Sequence, residues 1–284
     1  AQKKERRTRS IFEVYVPAGV IDQVLGKPEE ALVGDNRVIS ILFSDIRDFT
    51  RISERMQPDE LVDQLNRYFT ELVDIIITKG GTVDKYIGDA IMAFWGAPEK
   101  HKEDAENSVM AGLEMLEAVE RFNLKQEQEG KPPFRTGIGI NYGVVTVGNI
   151  GSERKMDYTV IGDMVNLASR LESLTKQYVT PIVISESVQR YVEKKVRCRL
   201  LDRVIVKGKT QGAGIYTPGR NLNGDEDAAW DLHEDGTRLY YDRSFAEAAV
   251  RFREVQRLLP NDVSSRRYLE RCERYIKSPP DESW

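Results

Sequence analysis

The chain has 284 residues, 40% of them hydrophobic, and 42 lysines and arginines against 46 aspartates and glutamates give a net charge of −4. That is enough apolar material for one good core and a small appendage, and too little basic excess for a general nucleic-acid binder. Cys198 and Cys272 stand far apart, and the two histidines, His101 and His233, have no ligand-type neighbour, so neither a zinc site nor a disulfide framework is expected. Acid/base or metal work then falls to carboxylates, lysines or a substrate's own groups.

No apolar run approaches the roughly 18 residues needed to cross a bilayer, which predicts a cytoplasmic protein or the cytoplasmic portion of a membrane-anchored receptor. Lys3, Lys4, Arg6, Arg7 and Arg9 open the chain. Such a run is either a solvated helix start or a segment tying the domain to an upstream sensor or membrane region.

Residues 1–35 read as this basic and helical lead-in. The β-branched run 38–43 predicts a buried strand, ending in Ser44-Asp45-Ile46-Arg47-Asp48. From Pro58 a stripe of Leu61, Leu65, Tyr68, Leu72 and Ile76 predicts a long amphipathic helix stopped by Gly80-Gly81. Strands over 82–86 and 90–95 meet at the tight turn Gly88-Asp89. A helix follows over 102–122, then a second hairpin, 134–140 and 144–147, about Asn141-Tyr142-Gly143. Gly137, Gly139 and Gly143 have the wrong spacing for a dinucleotide loop and read as small residues of that hairpin. Helices over 164–176 and 186–192 and strands over 182–184, 199–206 and 213–217 complete an α+β, antiparallel-rich sheet covered by helices. Beyond about residue 220, an acidic link precedes a helical pair whose Gly236, Leu239, Ala248, Phe252, Val255 and Pro260 match the spacing of one tetratricopeptide-like hairpin. A single unit cannot bury its own face, so packing against the core or a partner is expected. Its removal should still leave a folded core.

Two acidic tips carry the first chemical signal. Asp45 ends a buried strand and Asp89 sits in a tight turn, so both suit Mg²⁺ or Mn²⁺ shared with a substrate's phosphates. The plainer alternatives are a helix cap and a turn residue. Asn166 and Arg170, four apart on one helix face, can fix a ribose and neutralise charge on a pentavalent phosphorus, or tie down a neighbouring loop. Lys85, Arg154 and Lys207 supply point charges for a triphosphate.

Phe43-Ser44-Asp45-Ile46-Arg47-Asp48-Phe49-Thr50, Lys85-Tyr86-Ile87-Gly88-Asp89-Ala90, and the run from Asp157 through Gly162-Asp163-Met164-Val165-Asn166 to Arg170 closely resemble, in order and spacing, the catalytic domain of bacterial-type class III nucleotidyl cyclases. The resemblance covers about 36–220, with the lead-in and the tail of 221–284 outside it. It implies a palm-type, ferredoxin-like core and a homodimer whose active sites lie at the interface. It also implies two divalent cations held by Asp45, Asp89 and the Ile46 carbonyl, with Asn166 and Arg170 as the transition-state pair and Arg154 and Lys207 on the phosphates. Lys85 and Thr159 fall at the base-selecting positions, and a lysine can donate to adenine N1, whereas guanine N1 carries its own proton. The expected activity is adenylyl cyclase, ATP to cyclic AMP and pyrophosphate. A guanylyl cyclase and an inactive dimerising or nucleotide-sensing module are the alternatives. Asp48 stands where many members have glycine, and a pairing with Arg47 or Arg51 would accommodate it.

Overall fold

The computed structural model describes residue 21 and residues 34–152, 154–204 and 212–281. The basic run, most of the lead-in and Lys207 lie outside the described residues. Eight strands form one sheet: β1 (Asp35–Ile46), β2 (Thr82–Ile87), β3 (Ala90–Trp95), β4 (Thr136–Ser152), β5 (Lys155–Ile161), β6 (Ile182–Ser185), β7 (Cys198–Val204) and β8 (Ala213–Pro218). Their order is β2-β3-β1-β4-β6-β8-β7, with β5 paired to β4. The β4–β6 pair is parallel and the others are antiparallel, as the sequence led us to expect.

Helices α1 (Phe49–Ser53), α2 (Pro58–Thr78), α3 (Asp104–Gln128), α4 (Asp163–Tyr178) and α5 (Glu186–Val192) complete the core. Side chains alternate along each strand. Leu42, Ala93, Trp95, Ile138 and Ile140 therefore pack with Leu72 and Ile76 of α2, Val109 and Met115 of α3, and Val188 of α5 on one face. Ile39, Ile41, Met92, Phe94, Val145 and Val147 point to the other face, where Ala168 of α4 and Val160 of β5 join them.

Two strands differ from expectation. The supposed second hairpin is one continuous strand, β4, which stays in register with β1 through Ile41↔Asn141, Ser40↔Tyr142 and Ile39↔Gly143. Gly143 makes room for a helix instead of turning the chain: a Cβ there would lie 2.8 Å from the Met164 side chain, and one at Gly139 would lie 2.1 Å from the Glu172 backbone nitrogen. Asn141, on the same face, donates from Nδ2 to the Met164 carbonyl at 2.9 Å. The glycines let α4 lie almost on the backbone of β4. Because neither backbone can give way, Gly139→Ala is expected to destabilise the fold by about 3 kcal/mol or more, read as a lower urea midpoint. The second difference is β5, which had no expected counterpart.

The tail forms three helices: α6 (Gly224–Tyr241), α7 (Phe245–Leu258) and α8 (Val263–Lys277). The acidic link belongs to α6, whose first turn carries Asp225, Glu226 and Asp227 behind an Asn223–Glu226 capping box. The repeat-like hairpin is α6 with α7, and its apolar centre, Tyr240, Phe245, Ala248, Phe252 and Val255 among them, is completed by Tyr268 and Cys272 of α8.

This unit packs on β7 and on the end of α4. His233 Nε2 lies 2.8 Å from the Leu200 carbonyl, and Arg199 pairs with Asp262 at 2.6 Å. Arg271 makes two 2.7 Å bonds to Asp202, which also accepts from Tyr178 of α4. Asp202 is 3% exposed, so Arg271→Ala strands a buried carboxylate with the Tyr178 hydroxyl and its neighbouring amide as support. A loss of about 3 kcal/mol in denaturant unfolding is expected.

Candidate active site

The end of β1 and the β2–β3 turn meet. Gly88 takes φ 65°, the first position of a two-residue turn that favours glycine, and this leaves Asp89 pointing back at β1. Its Oδ2 accepts the Ile46 amide at 3.2 Å. Burial, then the Asp45 carboxylate within hydrogen-bonding range, pushes the Asp89 acid up to about 7. Both carboxylates and Ile46 border a cleft of about 420 Å³ with Asp48, Thr50, Arg51 and Lys176. Neither carboxylate has an ion-pair partner among the described residues.

Asp45 does not cap the helix that follows. That position belongs to Asp48, which lies in the left-handed region at φ 56° and whose carbonyl accepts from Arg51 and Ile52. The expected pairing of Asp48 is absent among the described residues: Arg47 turns to Glu172 of α4 at 2.7 Å. A glycine at this position in related chains would reach the same backbone without strain. Beyond Asp48 a second cleft, about 230 Å³, is bordered by Arg47, Arg51, Arg55 and Arg135. Arg51, Arg55 and Arg135 make no ion pair among the described residues. Arg47 and Arg51 entered the sequence reading only as partners for Asp48, and Arg135, which joins them from the chain just before β4, carried no signal.

Lys85 and Thr159 come together through a residue that sequence reasoning missed. Thr159 Oγ1 donates to Asp84 Oδ2 at 2.5 Å, and Lys85 Nζ lies 3.3 Å from Asp84 Oδ1. The contact exists because β5 folds back across the sheet face, with Tyr158 against Phe94 at 6.3 Å between ring centres. An aspartate beside a lysine in an edge strand reads as a solvated pair, so Asp84 carried no signal.

Asn166 and Arg170 are exposed on α4, on the side away from the buried Ala168 and Leu171, and have no partners among the described residues. Arg154 is likewise exposed. Neither of these two clefts includes Lys85, Thr159, Asn166, Arg170 or Arg154. A larger cleft of about 610 Å³, between β7 and α6, holds none of the expected site residues either. The expected site residues therefore do not line one cleft of the chain. Among the described residues no group of three or more His, Cys, Asp and Glu side chains gathers as a metal cluster, and no helix is long and apolar enough to cross a membrane.

Residues 34–217 match the adenylate and guanylate cyclase catalytic domain. The adenylate cyclase of Anabaena cylindrica is 38% identical over 75% of this chain and 43% of its own length. The terminal-differentiation-specific adenylate cyclase of Dictyostelium discoideum is 33% identical over 98% of this chain and 13% of its own. The chain therefore spans less than half of these relatives. Among solved structures, the adenylyl cyclase CyaB from P. aeruginosa superposes with a TM-score of 0.62 at 36% identity, covering 68% of this chain and 98% of that one. The guanylyl cyclase Cya2 superposes with a TM-score of 0.59 at 39% identity, covering 67% and 97%.

Proposed function

The chain belongs to the family of adenylate and guanylate cyclase catalytic domains, and we propose that it converts ATP to 3′,5′-cyclic AMP and pyrophosphate as a homodimer with two shared sites. The observation that carries the choice of ATP is Lys85, an ammonium donor at the base-selecting position beside Thr159. The likeness to the guanylyl cyclase Cya2 makes GTP the competing substrate.

The donor set suits divalent cations. Asp45 and Asp89 crowd two hard oxygen donors together beside a cleft, and burial and mutual repulsion at Asp89 are what a bound cation would relieve. Asp45, Asp89 and the Ile46 carbonyl would hold the ions, which when bound acidify the ribose 3′-hydroxyl and neutralise the pyrophosphate. The 3′-oxygen bonds to the α-phosphorus in line as the bond to the pyrophosphate oxygen breaks, and the hydroxyl proton is lost. Asn166 fixes the ribose and Arg170 meets the charge that builds on the five-coordinate phosphorus. Arg154 and Lys207 hold the phosphates, and Lys85 donates to adenine N1.

Support for a shared site comes from the incomplete set of residues around the carboxylate cleft. The carboxylate cleft lacks the base-reading and transition-state residues, while Asn166 and Arg170 face outward with no partner among the described residues. A two-fold axis joins such halves twice. The test is purified protein with ATP or GTP and Mg²⁺ or Mn²⁺: cyclic AMP in excess of cyclic GMP is expected, and a preference for GTP or no cyclic product would contradict the reading.

A further inference from the structure

Asp84 is the residue inserted at a bulge in β2: Val83 pairs with Ala93 and Lys85 with Met92, so Asp84 has no opposite on β3. Neighbours in a regular strand point to opposite faces. The bulge re-aims them, and Lys85 Nζ comes within 3.3 Å of Asp84 Oδ1. The Asp84 side chain has no exposed surface. Burial pushes its carboxyl up, while the Thr159 hydroxyl, the Lys85 ammonium and the Val160 amide, three donors converging on it, favour the charged form.

An ionised carboxylate can only accept hydrogen bonds. Thr159 has a single O–H, and it is committed to Asp84 at 2.5 Å. The Thr159 oxygen therefore faces a base as an acceptor, while Lys85, 3.3 Å from Asp84 Oδ1, offers only donors. On its Watson–Crick edge adenine offers an acceptor, N1, beside a donor, the 6-amino group; guanine offers N1–H beside the O6 acceptor. Lysine and threonine set in this way complement adenine at both contacts and oppose guanine at both. We infer that Asp84 is a specificity-determining positioning residue, which fixes the hydrogen-bond polarity of Thr159 so that, beside the donor Lys85, the pair reads adenine. The inference rests on the ATP reading above.

The test uses the full chain and two readouts: kcat/KM for ATP and GTP, and competition of the two nucleotides against a fluorescent nucleotide, which reports selectivity without turnover. Asp84→Asn keeps the shape but offers an NH₂ that can donate to Thr159, freeing the hydroxyl to donate to guanine O6. The ATP-to-GTP ratio should fall at least about 10-fold in both readouts, with thermal melting little changed. Thr159→Val should lose the ratio similarly and Thr159→Ser should keep it. Adding Asp84→Asn to Thr159→Val should change the ratio less than about 2-fold, because the first residue acts through the second. An Asp84→Asn protein with its ratio intact, or with both nucleotides weakened equally, overturns the inference. Should that variant not fold, a Thr159→Val protein with full adenine preference overturns it instead. A wild type without adenine preference overturns the ATP reading as well, whereas an adenine-selective wild type matched by an equally selective Asp84→Asn protein overturns this inference alone.

Discussion

Asp89→Asn is expected to lower cyclisation at least about 10³-fold while leaving the fold as stable as before, or more so. The amide keeps an acceptor for the Ile46 N–H, which Asp89 Oδ2 now holds at 3.2 Å, and removes one of two carboxylates that repel each other. The rate falls because a divalent cation loses an anionic ligand, worth several kcal/mol where charge develops in the transition state. Asp89→Ala should lose as much activity but also some stability, since Ile46, 2% exposed, then has an unsatisfied amide costing about 1–3 kcal/mol. Asp45→Ala should match Asp89→Asn in rate, because no backbone bond depends on it in the structure. Cyclic AMP formation and urea unfolding on the same preparations check both halves, and near-normal turnover by Asp45→Ala or Asp89→Asn would remove the metal assignment.

Lys85→Glu is expected to lower the ATP-to-GTP activity ratio by about 10² or more. A carboxylate there offers adenine N1 no donor and repels its lone pair. It also sits beside Asp84, whose Oδ1 lies 3.3 Å from the present ammonium and whose side chain has no exposed surface, so the two acids disfavour each other's ionisation. Lys85→Met separates these effects, removing the donor without adding a second acid. It should lose most of the ATP rate and fold normally. A Lys85→Glu enzyme with its full ratio would mean that Lys85 does not touch the base.

Much of the fold was legible because the patterns that mark it are local. The β-branched run of β1, the stripe of α2 from Leu61 to Ile76 and the Gly88-Asp89 turn each announce themselves within a few residues. The errors arose where a local signal had a distant cause. Asn141-Tyr142-Gly143 has turn composition, yet Asn141 is there to bond the Met164 carbonyl and Gly143 to admit the Met164 side chain. The acidic residues after 224 look like a linker but complement the start of α6. β5 mixes polar and apolar residues because it lies over the sheet face and pairs with β4 alone.

The candidate site divides along the same line. Asp45, Asp89 and Ile46 are brought together as expected, and Lys85 joins Thr159, but the joining residue, Asp84, is a bulge whose purpose appears only when β5 arrives from 75 residues away. Packing likewise ties the tail closer to the core than composition suggested. The apolar clusters of the core contain no tail residue, so a chain lacking 222–284 should still fold. It should do so with a lower melting temperature, since Arg199 loses Asp262 and Asp202 loses Arg271.

Complementation between two dead variants tests the shared site most directly. With Asp45 and Asp89 supplied by one subunit and Lys85, Asn166 and Arg170 by the other, Asp45→Ala and Asn166→Ala homodimers each lack something at both sites. In a mixed dimer one site collects both lesions and the other collects neither. Random exchange makes about half of the dimers mixed, each with one of two sites whole, so about a quarter of wild-type cyclic AMP formation should return when the two are co-expressed. If both variants fold, each is inactive alone and exchange is verified, then no recovery would place the whole site within one chain and contradict the dimeric cyclase.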